Sequence, residues 1–136
     1  MSIKKLSIQD FLAMSREYPV FDVRSPGEYN HAQIPDAYSL PLFSDEERKL
    51  VGTAYKQQGK QKAIKIGLDF FGVKMRDMVE EVENIVARCS VNTINIAESF
   101  KNGQQETKNI LVHCWRGGMR SAGVAWLLNL YGFEVY

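Results

Sequence analysis

An α/β fold built on buried, parallel-type strands is what the sequence predicts, and three observations carry that prediction. Val20-Phe21-Asp22-Val23 and Ile110-Leu111-Val112 are short apolar runs of the kind buried strands use. Segments with helical spacing alternate with these runs. A glycine-bearing loop, His113-Cys114-Trp115-Arg116-Gly117-Gly118-Met119-Arg120-Ser121, follows the second run, at the carboxyl end of a strand where open sheets place their ligands.

In chain order, Leu6, Ile8, Phe11 and Leu12, with Ser7 ahead as a cap and Asp10 in the first turn, predict a short opening helix. The Val20–Val23 strand comes next. Ser25 as cap and Pro26 at the first helical position turn the chain into a brief helix through Glu28 and Tyr29. Pro35 and Pro41 keep the Ile34–Leu42 segment extended. Ser44 followed by Glu47 is the pattern of a capping box and opens a helical region that Gly59 and Gly72 punctuate. Val79, Val82, Ile85 and Val86 give Val73–Arg88 a clear helical period. Val91–Phe100 reads equally as helix or strand, and Lys101–Glu106 as a polar loop. After the Cys114 loop, Ala122, Val124, Ala125, Trp126, Leu127, Leu128, Leu130 and Tyr131 predict a buried helix that stops at Gly132. Gly132–Tyr136 then enters a further strand. No repeat or low-complexity tract interrupts the chain.

The 136 residues suit one domain with one core over 1–136. A content of 45% hydrophobic and 24% charged residues is that of a globular protein, with no run of membrane-spanning length. Met1–Leu6 lacks the apolar core of a signal peptide, so a cytoplasmic setting without membrane partners is expected. Two cysteines, Cys89 and Cys114, are too few for a disulfide framework and lack the paired spacing of a metal site. No metal or cofactor is expected. A net charge of +1 argues against nucleic-acid binding by the whole surface. Lys56, Lys60, Lys62 and Lys65 form a local basic patch, which reads more readily as a solvated loop and helix face than as an RNA contact.

The loop places Cys114 where a cysteine becomes a nucleophile. Unpaired amides and the positive end of a helix dipole favour an anion there, and Arg116 and Arg120 add charge of the same sign. These effects favour thiolate, the reactive species. Gly117 and Gly118 let the backbone turn its amides inward, and Met119 completes the loop. Arg120 closes a Cys-x5-Arg spacing, where an arginine can hold an oxyanion bidentately. Ser121 suits a helix cap, a hydroxyl partner of the sulfur, or both. Trp115 suits stacking on a nucleobase, and equally a hydrophobic rim or a contact with another domain. His113, by strand alternation, points to the opposite face from Cys114 and reads as a core or network histidine. Cys89, at the end of an amphipathic helix, reads as structural.

Asp22-Val23-Arg24-Ser25-Pro26-Gly27-Glu28-Tyr29, with His31, Ile34-Pro35-Asp36-Ala37, Leu40-Pro41 and the Cys114 loop, resembles the rhodanese domain family over most of the chain. Ser44–Arg48, Val51–Gln57 and the Cys-Trp-Arg-Gly-Gly-Met-Arg-Ser loop are similar, more narrowly, to the amino-terminal rhodanese domain of tRNA 2-selenouridine synthases. The resemblance implies a parallel sheet flanked by helices on both faces, and a cysteine that passes through a persulfide or selenopersulfide. It also implies exchange of sulfur for selenium in 2-thiouridine at the tRNA wobble position, with selenophosphate or a sulfane donor. Asp22 and Arg24 are implied to form an ion pair or hydrogen-bond network near the site. The relatives so implied carry a carboxyl-terminal phosphate-loop domain. No G-x-x-x-x-G-K-[ST] occurs in this chain, so it is expected to be the amino-terminal piece of a longer enzyme.

Three positions depart from the family pattern. Ala32-Gln33 stands where Gly-His often precedes Ile-Pro, and Asp36 stands in place of a glycine. The loop is also one residue longer than in many rhodanese domains, and its His-Cys-x5-Arg spacing fits the cysteine phosphatases that share the fold. The extra residue is expected to widen the cradle enough for selenophosphate, a tetrahedral anion. A phosphatase, or a non-catalytic rhodanese module that binds a partner, is the alternative to chalcogen transfer.

Overall fold

A computed structural model describes residues 3–91, 108–114 and 118–136. Strands β1 (Val20–Asp22), β2 (Tyr38–Ser39), β3 (Asn109–His113) and β4 (Glu134–Val135) form a sheet in the order β2-β1-β3-β4. Every pairing is parallel, with Phe21 opposite both Tyr38 and Val112, and Ile110 opposite Val135. Ile3 adds an isolated parallel bridge to Val135. Among the described residues six helices surround this sheet: α1 (Ile8–Met14), α2 (Pro26–His31), α3 (Asp45–Gln58), α4 (Lys60–Gly72), α5 (Met75–Val91) and α6 (Met119–Tyr131).

Alternation along the strands divides the core in two. Phe21, Val23, Ile110, Val112 and Val135 pack with residues of α5 and α6 on one face. Val20 and Leu111, displaced by one residue, turn to the other face and meet Phe11 and Met14 of α1 together with Tyr18, Tyr29 and Tyr136. The central strands are therefore dry on both sides, as their unbroken apolar runs require.

Local chemistry sets most helix ends where the sequence suggests. The Ser7 hydroxyl caps α1 by accepting from the Asp10 amide at 3.2 Å. Ser44 and Glu47 close a capping box at the start of α3, with Ser44 N–H to Glu47 Oε1 at 2.9 Å and Glu47 N–H to Ser44 Oγ at 3.1 Å. Gly59, at φ 90°, breaks α3 from α4 in a conformation that favours glycine, and Gly72 ends α4.

Two expectations need correction. Only Val124, Ala125, Leu127 and Leu128 of α6 are buried, whereas Trp126, Leu130 and Tyr131 are more than half exposed. A helix laid on a sheet buries one stripe, so an apolar sequence all round leaves its outer side uncovered. The helix also begins at Met119, with Gly118 rather than Ser121 as its N-cap, because Gly118 takes the left-handed conformation at φ 68°. Of the ambiguous Val91–Phe100 stretch, Val91 ends α5. The remainder, and the Lys101–Glu106 loop, lie outside the described residues.

Asp36 explains one departure from the family pattern. The Ala37 N–H donates to the Ile34 carbonyl at 3.1 Å, closing a turn with Pro35 second and Asp36 third. Asp36 has φ 62°, the region that favours glycine and that a short Asp tolerates better than most side chains.

Candidate active site

Cys114 leaves the carboxyl end of β3, between the strands β1 and β4, and reaches the first turn of α6. Its sulfur accepts from the Ser121 amide at 3.4 Å, and its S–H donates to the Ser121 hydroxyl at 3.1 Å. That hydroxyl donates in turn to the Gly118 carbonyl at 3.1 Å. The sulfur is thus held by a first-turn amide, on the side of the helix where partial positive charge gathers. Half-buried and packed against the larger core cluster, the thiol keeps a path to solvent. Gly118 and Met119 flank it on the α6 side, Met119 being 49% exposed. Trp115, Arg116 and Gly117 lie outside the described residues.

Asp22 and Arg24 form the buried floor beside this loop. Asp22 has no exposed surface; it accepts from the Arg24 backbone N–H (3.0 Å), from Nε (3.0 and 3.1 Å) and from Nη2 (2.7 Å). Arg24 Nη2 also donates to the Ala32 carbonyl at 2.6 Å. The hydrogen bond to Asp22 holds Arg24 above its ordinary pKa against the opposing cost of burial, with smaller contributions from Asp22, Glu28 and Cys114 charge. Arg24 therefore sits within electrostatic reach of the sulfur.

His113 stands opposite Asp22 in the sheet register and turns towards α1, its ring centroid 6.2 Å from that of Phe11. Burial pushes its pKa down; Asp22 pulls it up and Arg24 lowers it further. Its place on the α1 side is the one strand alternation predicts. Cys89, near the carboxyl end of α5, contacts the Tyr38 hydroxyl at 3.3 Å and packs against the core.

Arg120 is placed in a way its spacing did not announce. Its Nη1 donates to Glu28 Oε1 at 2.7 Å and its Nη2 to Glu28 Oε2 at 3.3 Å. Glu28 Oε1 also accepts from the Ser25 N–H at 3.2 Å and the Ser25 hydroxyl at 3.0 Å, and forms an ion pair with Arg48 Nε at 2.9 Å. Desolvation pushes the Glu28 carboxyl up, but the Arg120 hydrogen bonds and charge, with Ser25, outweigh it and bring its pKa down to about 2. One carboxylate thus ties α2, α3 and α6 together beside the loop. Glu28 and Arg48 are the site residues that sequence reasoning missed. Ser25-x-x-Glu28 is a capping-box pattern and signals the Glu28 contact with Ser25, but nothing local signals a partner 92 residues away.

Next to this cluster, α3, α4 and α6 enclose a cavity of about 1000 Å³. Phe43, Phe71, Met119 and Trp126 are among its apolar lining residues, and Arg48 and Arg120 among its charged ones. Lys56, Lys60, Lys62 and Lys65 are all exposed on the α3/α4 hairpin. No group of three or more metal-binding side chains occurs among the described residues. Among them no helix is long and apolar enough to cross a membrane.

The geometry agrees with what the chain resembles. The model of the rhodanese-like domain matches residues 7–136. The tRNA 2-selenouridine synthase of Proteus mirabilis (strain HI4320) is 37% identical over 118 residues, covering 86% of this chain and 28% of that protein. The enzyme of the same name from Nitrosomonas europaea is 32% identical over 117 residues, 85% of this chain and 26% of the relative. The chain therefore spans under a third of the length of either relative. Among solved structures, the N-terminal domain of a protein described as a "putative ATP/GTP binding protein" from Clostridium difficile 630 superposes with a TM-score of 0.73. That structure is 34% identical, and the match covers 99% of this chain and 88% of the other. A parallel sheet covered on both faces, a cysteine loop at the end of its central strand and a family match over residues 7–136 lead to one conclusion: the chain belongs to the family of rhodanese-like domains.

Proposed function

We propose that this domain carries sulfur or selenium on Cys114, as the rhodanese part of a transferase that converts 2-thiouridine to 2-selenouridine at the tRNA wobble position. The observation that carries the reading is the seat of the sulfur, 3.4 Å from the Ser121 amide in the first turn of α6. A thiolate formed there attacks the outer sulfur of a sulfane donor such as thiosulfate. A new S–S bond forms on Cys114, the donor's S–S bond breaks, and sulfite leaves with the electron pair, so the enzyme-bound product is a persulfide anion. The Ser121 amide of the first turn is directed at the sulfur, and a thiolate formed there needs no general base. Selenophosphate, the selenium donor the resemblance implies, is an anion suited to the same loop, where Arg116 is its cationic partner while Glu28 holds Arg120, and Trp115 a surface for the acceptor base.

The curated relatives are more than three times as long as this chain, which covers 28% of the Proteus protein. That length supports a carboxyl-terminal phosphate-loop domain as the partner that completes turnover on tRNA, in the cytoplasm. The exposed lysines of the α3/α4 hairpin are a candidate tRNA contact. Charge reversal of all four should lower tRNA affinity and flatten its salt dependence; an unchanged salt slope excludes the patch.

The transfer reading is tested by mass spectrometry of the protein after incubation with thiosulfate or selenophosphate. An added chalcogen on Cys114, lost in Cys114→Ser, is the expected result. A Cys114 that reacts with iodoacetamide yet never gains a chalcogen refutes it. The Cys-x5-Arg spacing favours a phosphatase as the second reading, and aryl phosphate hydrolysis that disappears in Cys114→Ser would promote it.

A further inference from the structure

The guanidinium of an arginine is a planar fork that fits a carboxylate and a tetrahedral oxyanion with the same geometry. In this protein the fork at the end of the Cys114 loop is already filled: Arg120 gives Nη1 and Nη2 to the two oxygens of Glu28, at 2.7 and 3.3 Å. The side chains are enclosed, 19% exposed for Arg120 and 16% for Glu28. Glu28 is also fixed from behind by Ser25 and from the side by Arg48. An oxyanion arriving at the Cys114 loop therefore competes with a pre-set internal carboxylate for Arg120. The amide of Ser121, already turned to the sulfur, is under no such competition.

We propose that Glu28 is a specificity-determining residue of this site: by holding the Arg120 fork it keeps the loop's affinity for tetrahedral oxyanions low. The consequence for a transfer site is direct. A single chalcogen atom on Cys114 is served by the Ser121 amide, whereas a spent oxyanion finds Arg120 engaged by Glu28 and is held less tightly. The longer Nη2 contact and the position of Arg120 on the wall of the cavity allow the fork to change partner once the carboxylate charge is removed.

The inference rests on the transfer reading for its purpose, but its test does not depend on transfer. The probe is inorganic phosphate at constant ionic strength. Its affinity is read in two ways: by the chemical shift of the Ser121 amide and by protection of Cys114 from iodoacetamide. In Glu28→Gln, phosphate should bind at least tenfold more tightly than in the wild type. In Glu28→Gln/Arg120→Gln the gain should vanish. A merely structural role for Glu28 predicts the opposite sign, since a loosened loop binds phosphate less well. If Glu28→Gln does not fold, Glu28→Asp takes its place; its shorter side chain cannot keep both contacts, and about threefold tighter binding is expected. Unchanged or weaker phosphate binding in the folded variant overturns the proposal, whether or not Cys114 accepts a chalcogen. Failure of chalcogen loading alone, with phosphate binding tightened, overturns the transfer reading and leaves the role of Glu28 standing.

Discussion

Replacing Glu28 by Gln should destabilise the fold in a pH-dependent way, and the size of the effect follows from its surroundings. The carboxyl falls from its ordinary 4.5 to about 2, and at about 1.4 kcal/mol per tenfold the charged form is favoured in the fold by on the order of 3 kcal/mol. The Arg120 contact carries most of this, because both side chains are largely enclosed. Arg48 is 53% exposed and screened by solvent, so it adds little. Because the folded pKa is lowered, the contribution is fully present above about pH 4.5 and is lost as the pH falls towards 2. By pH 3 about 2 kcal/mol of it should be gone. Glutamine has no carboxyl to titrate. Urea unfolding followed by far-UV circular dichroism should therefore show Glu28→Gln about 2–3 kcal/mol less stable than wild type at pH 7, with the gap narrowing to about 1 kcal/mol at pH 3. A penalty that stays constant across this range would mean that packing, not charge, is what Glu28 supplies. A penalty under about 0.5 kcal/mol at pH 7 would place the pair among ordinary surface ion pairs and refute the reasoning.

Other perturbations test separate parts of the structure. Ser121→Ala removes the hydroxyl that accepts the Cys114 S–H, a contact that favours the neutral thiol and is worth about 1 kcal/mol, so alkylation by iodoacetamide at pH 7 should quicken about fivefold; an unchanged rate would remove the hydroxyl from the site. Asp22→Ala leaves Arg24 buried without its carboxylate and should cost about 3–5 kcal/mol in urea unfolding, well beyond an ordinary surface change. Asp36→Gly should be neutral or stabilising, whereas Asp36→Ala should lose about 1 kcal/mol, since only the glycine adopts the φ 62° conformation at no steric cost. Equal melting temperatures for these two variants would show that the turn does not impose that conformation.

The legible and illegible parts of the sequence divide by the range of the interaction. Caps and breaks act over three or four residues, so Ser7, Ser44, Gly59 and Gly132 marked helix ends that the structure shows. Alternation acts over two, and it put His113 on the α1 side, away from the face on which Cys114 packs. Periodicity failed at α6 because an all-apolar helix does not say which side its neighbours cover, and Trp126 and Leu130 were left outside. Gly118 as cap was hidden by a serine three residues later, the commoner capping type. The partner of Arg120 was beyond any local rule: its spacing from Cys114 said what an arginine there can hold, and the fold had already given it Glu28.

That separation between Glu28 and Arg120 has a consequence for how the site comes into being. The two residues stand 92 apart in the chain, so their pair closes only after the segment carrying α3, α4 and α5 has been folded back and its loop-closure entropy met. The first turn of α6 and the Ser121 contacts with Cys114 are local and need no such closure. A partly folded chain can therefore present the thiol with its helix turn while Arg120 is still unclaimed. The Glu28–Arg120 pair, like the pairing of β1 with β3, depends on closing that long loop, so the proposed selectivity of the site requires the whole domain and its thiol chemistry only a local turn.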